Sequence, residues 1–316
     1  MQITSREREI SNILRQEPLI SQDELAVRLG ITRSSVAVHI SNLIKKGIII
    51  GKGYVFNQQA VCTVVGSAAY LTLVQADEPV SIERVPDGLA VKGCQALQNF
   101  DLSVKVVTVL GTDSEGDELL TIMARSADVS GVDRQLANKS QQWVRINRKT
   151  MVETIGNITT KELLNRLALT RQPWLDCNFL WIEPGYLADV LPMIKENDIK
   201  APFIVCCSNA SFEGDNEVDI LIIGEKNSPE PQPSSTSKTL VVTDGCHYVT
   251  AQQGQETIQI NILPGQQFNV ETELERFTAG FIYGLSRGSQ LRQAIRMAIG
   301  NTSYQVNHQL KNRVEV

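Results

Sequence analysis

FIVCCSNASFEGDNEVDILII, residues 203–223, holds two short β-branched apolar runs, FIVCC (203–207) and VDILII (218–223). Continuous apolar runs of this kind suit strands buried on both faces, as in a parallel sheet covered by helices. Working outward, CTVVG (62–66), VKVVTVLG (104–111), FLWI (179–182) and TLVVTDG (239–245) repeat the pattern. Helical stretches lie between several of them, for example 116–125 and 187–196, and two more close the chain near 273–288 and 290–312. Strands alternating with helices predict a three-layer α/β domain with a mostly parallel sheet over residues 61–316. The Pro/Ser-rich stretch Asn227 to Ser237 reads as a mobile loop.

The first 57 residues follow a different grammar. Ile10, Ile13 and Leu14 recur at helical spacing, and Pro18 ends that helix. Ser21 with Glu24 three positions on is a capping box, in which each side chain satisfies an orphan backbone donor of a second helix. Gly30 stops it, Thr32 caps a third helix, and Val36, Ile40, Leu43 and Ile44 mark that helix's buried stripe. IIIGKGYVF (48–56) then reads as two short strands around Gly51-Lys52-Gly53. Three short helices, a glycine turn and a hairpin predict a winged helix-turn-helix over residues 1–57.

In that reading the third helix enters the major groove of double-stranded DNA through Thr32, Arg33, Ser34, Ser35 and His39. Arg33 is suited to a bidentate guanine contact, whereas Lys45, Lys46 and Lys52 meet phosphates. The alternatives are a helical domain for protein contacts, a surface His39, and lysines that merely favour a helix C-terminus. Charge agrees with the DNA reading: residues 1–57 carry eight Lys/Arg against five Asp/Glu, the remainder 22 against 30. A basic head on an acidic body offers only the head to phosphates.

At 42% hydrophobic and 21% charged residues, the composition is that of an ordinary soluble globular protein, and no apolar run is long enough for a membrane span. The start MQITSREREISNIL threads charges where a secretory signal needs an apolar core, so a cytoplasmic location is expected. Cys62, Cys94, Cys177, Cys206, Cys207 and Cys246 form no CxxC pair and read as reduced, packed thiols. No metal site is legible and no cofactor is expected.

Several segments carry a family resemblance. LGTDSEGDELL (110–120), with Gly111, Asp113 and Gly116, resembles an early motif of the PfkB (ribokinase-like) carbohydrate kinases, as does Gly131-Val132-Asp133 further on. VVTDG (241–245) resembles the strand before that family's nucleotide site, and FTAGFIYGL (277–285) the helix after its catalytic loop. The resemblance implies a ribokinase-like domain, a sugar-type cleft, and dimerisation through a β-lid drawn from residues 71–86.

The functional motifs of that family are altered. Thr272-Glu273-Leu274-Glu275 stands where the resemblance implies Gly-Ala-Gly-Asp, with Glu275 in the place of the catalytic base. A carboxylate about 4 Å from a phosphoryl group costs roughly 4 kcal/mol at an effective dielectric near 20. Leu71 or Thr72 occupies the place of a sugar-binding aspartate, and Asp87-Gly88-Leu89-Ala90-Val91-Lys92 replaces Gly-Gly-x-x-x-Asn. The magnesium-organising N-x-x-E motif has no convincing counterpart near 223–230. Asp113 and Asp244 read as loop-organising residues.

From these changes a non-enzyme is expected: a DNA-binding transcriptional regulator whose degenerate kinase domain senses a small-molecule effector near Leu71, Asp87, Gly88 and Lys92 and forms a homodimer. The alternative is an active PfkB-type sugar or nucleoside kinase with an appended DNA-binding domain.

Overall fold

A computed structural model of the protein describes residues 4–16, 20–45, 49–51, 55–56, 60–76, 79–100, 102–147, 153–156, 163, 165, 176–196, 203–209, 218–225 and 237–314. The chain divides into two compact units, Met1–Gln59 and Ala60–Val316.

In the first unit, helices α1 (Ser5–Gln16), α2 (Gln22–Leu29) and α3 (Arg33–Lys45) precede a hairpin of β1 (Ile49–Gly51) and β2 (Val55–Phe56). Ile10, Leu14, Leu25, Val36, Leu43 and Ile49 form its core. The capping box closes as expected: Glu24 N–H donates to Ser21 Oγ at 3.1 Å and Ser21 N–H to Glu24 Oε2 at 2.9 Å. A second reciprocal cap joins Thr4 and Glu7 at the start of α1. Gly30 ends α2 with φ +63°, a left-handed conformation that a side chain disfavours. Ile44, expected in the buried stripe, is 51% exposed. Successive helical residues turn by about 100°, so only one of the neighbours Leu43 and Ile44 faces the core, and Leu43 takes that place.

The second unit is built on an eight-stranded sheet. In chain order its elements are β3 (Ala60–Val65), β4 (Ala69–Gln75), β5 (Ser81–Asp87), α4 (Leu89–Leu97), β6 (Val104–Val107), β7 (Val109–Gly111), α5 (Ser114–Ala124) and β8 (Asp133–Gln135). They continue with β9 (Gln141–Ile146), β10 (Glu153–Ile155), β11 (Cys177–Ile182), α6 (Leu187–Glu196), β12 (Phe203–Ser208) and β13 (Val218–Gly224). The last are β14 (Ser237–Thr243), β15 (Tyr248–Gln253), β16 (Glu256–Asn261), α7 (Val270–Ser286) and α8 (Leu291–Val314).

The main sheet runs β16-β15-β14-β13-β12-β11-β3-β6 and is parallel from β14 to β6, with β15 and β16 antiparallel at one edge. One face packs α4, α7 and α8 through Trp181, Phe277 and Phe281, and the other packs α6 through Leu180, Leu187 and Val190. A four-stranded sheet, β10-β9-β4-β5, stands apart from the main one. Two of its ties run to α5: Tyr70 donates to Glu118 at 2.7 Å and Arg84 pairs with Glu115 at 3.2 Å.

VKVVTVLG, expected as one strand, divides at Thr108, and β7 pairs with β8 instead of joining the main sheet. Of the Asn227–Ser237 stretch only Ser237 is described, where it begins β14. Cys62, Cys94, Cys177 and Cys206 are buried and Cys207 is half-buried, but Cys246, expected to be packed, is exposed in the turn after β14. The Asp244 carboxylate organises that turn and leaves the thiol outside: it accepts from the Cys246 and His247 N–H groups, each at 2.8 Å.

Candidate functional site

Two groups of side chains carry chemistry. The first lies at the start of α3. Thr32 Oγ1 accepts the Ser35 N–H at 3.2 Å and lies 2.9 Å from Ser35 Oγ, so the threonine caps the helix and holds a hydroxyl cluster at its tip. Arg33 and Ser34 are exposed, and Arg33 Nε lies 3.6 Å from Asp23 on α2. His39 is half-buried, and its Nδ1 is buried without a hydrogen-bond partner. Lys45 is exposed at the last turn, while Lys46 and Lys52 lie outside the described residues.

The second group lies beyond the carboxyl ends of β3 and β11, the edge at which open α/β sheets place their ligand crevices. Ser67 follows β3, and Glu183 follows β11. Glu183 Oε2 accepts the Ser67 N–H at 2.6 Å and the Ser67 hydroxyl at 2.7 Å. Asp87 closes β5 and is buried; its Oδ1 accepts the Gly88 N–H at 2.8 Å. Gly88 caps α4 with φ +92°, and a Cβ there would run into the Ser67 carbonyl oxygen. One turn into α4, Lys92 Nζ lies 2.8 Å from Asp87 Oδ1 and 3.8 Å from Glu275 Oε1 on α7.

Glu275 Oε2 is buried and has no hydrogen-bond partner. Burial pushes the Glu275 carboxyl above the ordinary glutamate range, against the pull of Lys92. Glu183 is also raised by burial, which its Ser67 bonds oppose. Burial draws Lys92 down, but Glu275 and Asp87 outweigh it and leave the ammonium more firmly protonated than usual. The result is one ammonium held between Asp87 and Glu275, with a third buried carboxylate, Glu183, near enough to Asp87 for the two charges to repel, and with one Glu275 oxygen unpartnered.

Asp87, Gly88 and Lys92 of the expected pocket thus come together. Leu71 is buried within β4, and Thr72 is half-buried beside it. Asp113 caps α5 and accepts from Gly116 N–H at 2.9 Å and Ser140 Oγ–H at 2.6 Å, which makes it a loop organiser.

Glu183 and Ser67 were missed in the sequence, although a charge directly after the buried run FLWI was a legible signal of a strand's ligand-facing end. Also missed was a polar groove of about 710 Å³ between β16, the loop before α7 and the face of α8 that carries Arg292 and Arg296. The described residues bring no three His, Cys, Asp or Glu side chains together as a metal site. Among them, too, no helix is long and apolar enough to cross a membrane.

Residues 3–50 match the winged helix-turn-helix DNA-binding family HTH_24. A protein of Escherichia coli (strain K12), the uncharacterized sugar kinase YeiI, is 34% identical over 174 residues, 52% of this chain and 48% of that protein. The chain therefore spans about half the length of this relative. Among solved structures, Arabidopsis thaliana ribokinase complexed with ribose and ATP matches with TM-score 0.56 and 14% identity, covering 78% of this chain and 92% of the other. Burkholderia thailandensis nucleoside kinase in complex with inosine matches with TM-score 0.58, 14% identity and the same coverage.

The expectation of a non-enzyme is overturned by these findings, because the sequence relative is called a sugar kinase and both structural neighbours are kinases. The electrostatic argument behind it also fails on geometry. It treated Glu273 and Glu275 as uncompensated charges, but Glu273 pairs with Arg276 at 2.6 Å and Glu275 faces Lys92. The replaced loop is itself different: α7 begins at Val270 behind the Asn269 cap, so Thr272-Glu273-Leu274-Glu275 is helix. Leu274 is buried there, so it packs the core and does not face a ligand. The chain thus joins a winged helix-turn-helix DNA-binding domain to a domain of the PfkB, ribokinase-like sugar-kinase fold.

Proposed function

We propose that this protein is a DNA-binding regulator whose ribokinase-like domain phosphorylates a small polyhydroxylated metabolite, a sugar or nucleoside, in the crevice of Asp87, Lys92, Glu183 and Glu275. The observation that carries the reading is the unpartnered, buried Glu275 oxygen opposite Lys92. A carboxylate whose burial makes it a better base than usual is suited to take a proton from a substrate hydroxyl. As that proton moves to Glu275, the hydroxyl oxygen bonds to the terminal phosphorus of a nucleoside triphosphate, and the bond to the departing diphosphate breaks. Asp87 and Glu183 orient neighbouring hydroxyls. Arg292 and Arg296, four residues apart on one face of α8, line a separate polar groove whose paired guanidinium groups suit phosphates.

The head then places this chemistry on DNA, through Arg33, Ser34, Ser35 and His39 at base edges and Thr32, Lys45, Lys46 and Lys52 at the backbone. A cytoplasmic homodimer fits the reading, since one recognition helix buries too little surface for tight specific binding. The metabolite alters DNA affinity by binding one arrangement of the two heads better than another.

The test is ADP release by the full chain with ATP and a panel of pentoses, hexoses and nucleosides, beside a salt titration of its binding to genomic fragments. Turnover of at least one substrate, and a sequence-selective DNA shift, are expected. No ADP release with any of the panel overturns the kinase half, and binding without sequence preference overturns the regulator half.

A further inference from the structure

Helix α3 of the head buries Val36, Ile40 and Leu43 on one stripe, at spacings of four and three residues. Each helical step turns by about 100°, so the face opposite that stripe is fixed by the burial. It holds Ser34, Val38, Ser41 and Lys45, all exposed. The four form one line from the amino-terminal tip of the helix to its last turn. Three of them are polar, as a solvated face should be. Val38 is the exception, and it is 59% exposed at the centre of the line. Ile44, also exposed on α3, lies about 120° round the helix from Val38 and does not share this face.

No acidic residue occurs in Arg33–Lys45, so nothing on this helix repels a phosphate backbone. The helix also falls inside the stretch that matches a winged helix-turn-helix DNA-binding family. An isopropyl group has no hydrogen bond to offer a base. Among the groups that base edges present in the major groove, the thymine 5-methyl is the apolar one. Contact between the two removes apolar surface from water on both sides.

We propose that Val38 reads a thymine in the major groove through contact of its side chain with the 5-methyl group of the base. This rests on the DNA half of the function proposed above and adds to it a base preference at one position. Ser34, four residues before Val38, and Ser41, three after it, flank the contact. Lys45 carries the same line on to the phosphates.

The probe is a pool of random DNA duplexes, from which the wild-type full chain selects its preferred sites. Each thymine of the selected duplex is then replaced singly by deoxyuridine, which pairs with adenine in the same way but lacks the methyl. The expected result is a thymine whose replacement weakens wild-type binding about fourfold, the worth of one buried methyl group. Val38→Ala should bind the thymine duplex severalfold more weakly than wild type does, and should not distinguish it from the deoxyuridine duplex. Val38 is exposed and alanine favours a helix, so the variant keeps the fold, which matching thermal melts verify. Failure of wild type to enrich any sequence overturns the regulator reading, and this contact with it. An enriched sequence in which no deoxyuridine replacement separates wild type from Val38→Ala overturns the contact alone. Equal weakening of Val38→Ala on selected and random duplexes also overturns it, as expected of a side chain that joins two copies of the chain instead.

Discussion

The two units gather their candidate site groups at opposite ranges in the sequence. In the head, every candidate contact from Thr32 to His39 falls within two turns of one helix, and its caps are made by residues three apart. In the body, the crevice is assembled from four separate segments, and the Ser67–Glu183 bond alone spans 116 residues. Local spacing suffices to order a helix tip, because the backbone repeat places neighbours on one face. A buried anion cluster needs distant strands to deliver its members, because no single element can bury three carboxylates and a lysine together.

If this contrast is right, substitutions in the crevice should disturb far more than those in the head. The largest expected effect is Glu275→Gln. ADP release should fall by about a hundredfold or more, measured in a coupled assay. The same variant should be more stable than wild type at neutral pH. The sign follows from linkage: burial raises the Glu275 carboxyl in the folded chain, so its ionised form disfavours folding above that raised value. The advantage should vanish as pH falls below the ordinary glutamate value, where both states are protonated. Urea midpoints at pH 7 and pH 4 check this, and a destabilised Glu275→Gln at pH 7 would sink the charge assignment.

Next comes Gly88→Val, which forces a branched side chain into a positive-φ cap against the Ser67 carbonyl. A loss of about 3 kcal/mol is expected from the urea midpoint of the second unit's transition. In the head, Arg33→Ala should cost about 2 kcal/mol of discrimination between specific and random DNA at fixed salt, with little effect on the salt slope. An equal loss on both DNAs would move Arg33 from base readout to the backbone. The smallest effect belongs to Ser21→Ala, which removes one exposed cap and should lower head stability by about 1 kcal/mol in thermal melts.

Much of this was legible before any fold was known. The runs at 203–207 and 218–223 became β12 and β13, and helix 187–196 fell where its apolar spacing placed it. Strands β4 and β9 of the four-stranded sheet were harder, because their mixed burial carries no continuous apolar signal. Asp87, Lys92 and Glu275 were visible as departures from a resembling motif, with Gly88 retained between them. The inference drawn from the departures failed, because a sequence shows a charge without its counter-charge. Lys92 was read as a lost asparagine and Glu275 as a repelling anion, and the pairing of the two answers both.

What the sequence determined by itself is the set of elements and the identity of its chemical groups, since periodicity, caps and turn glycines act over a few residues. Only the tertiary structure decided which of those groups meet. It joined Asp87, Lys92, Glu183 and Glu275 at one edge of the sheet. The physical reason is that burial and Coulomb energy depend on distance in space, and strand order sets that distance whatever the separation along the chain.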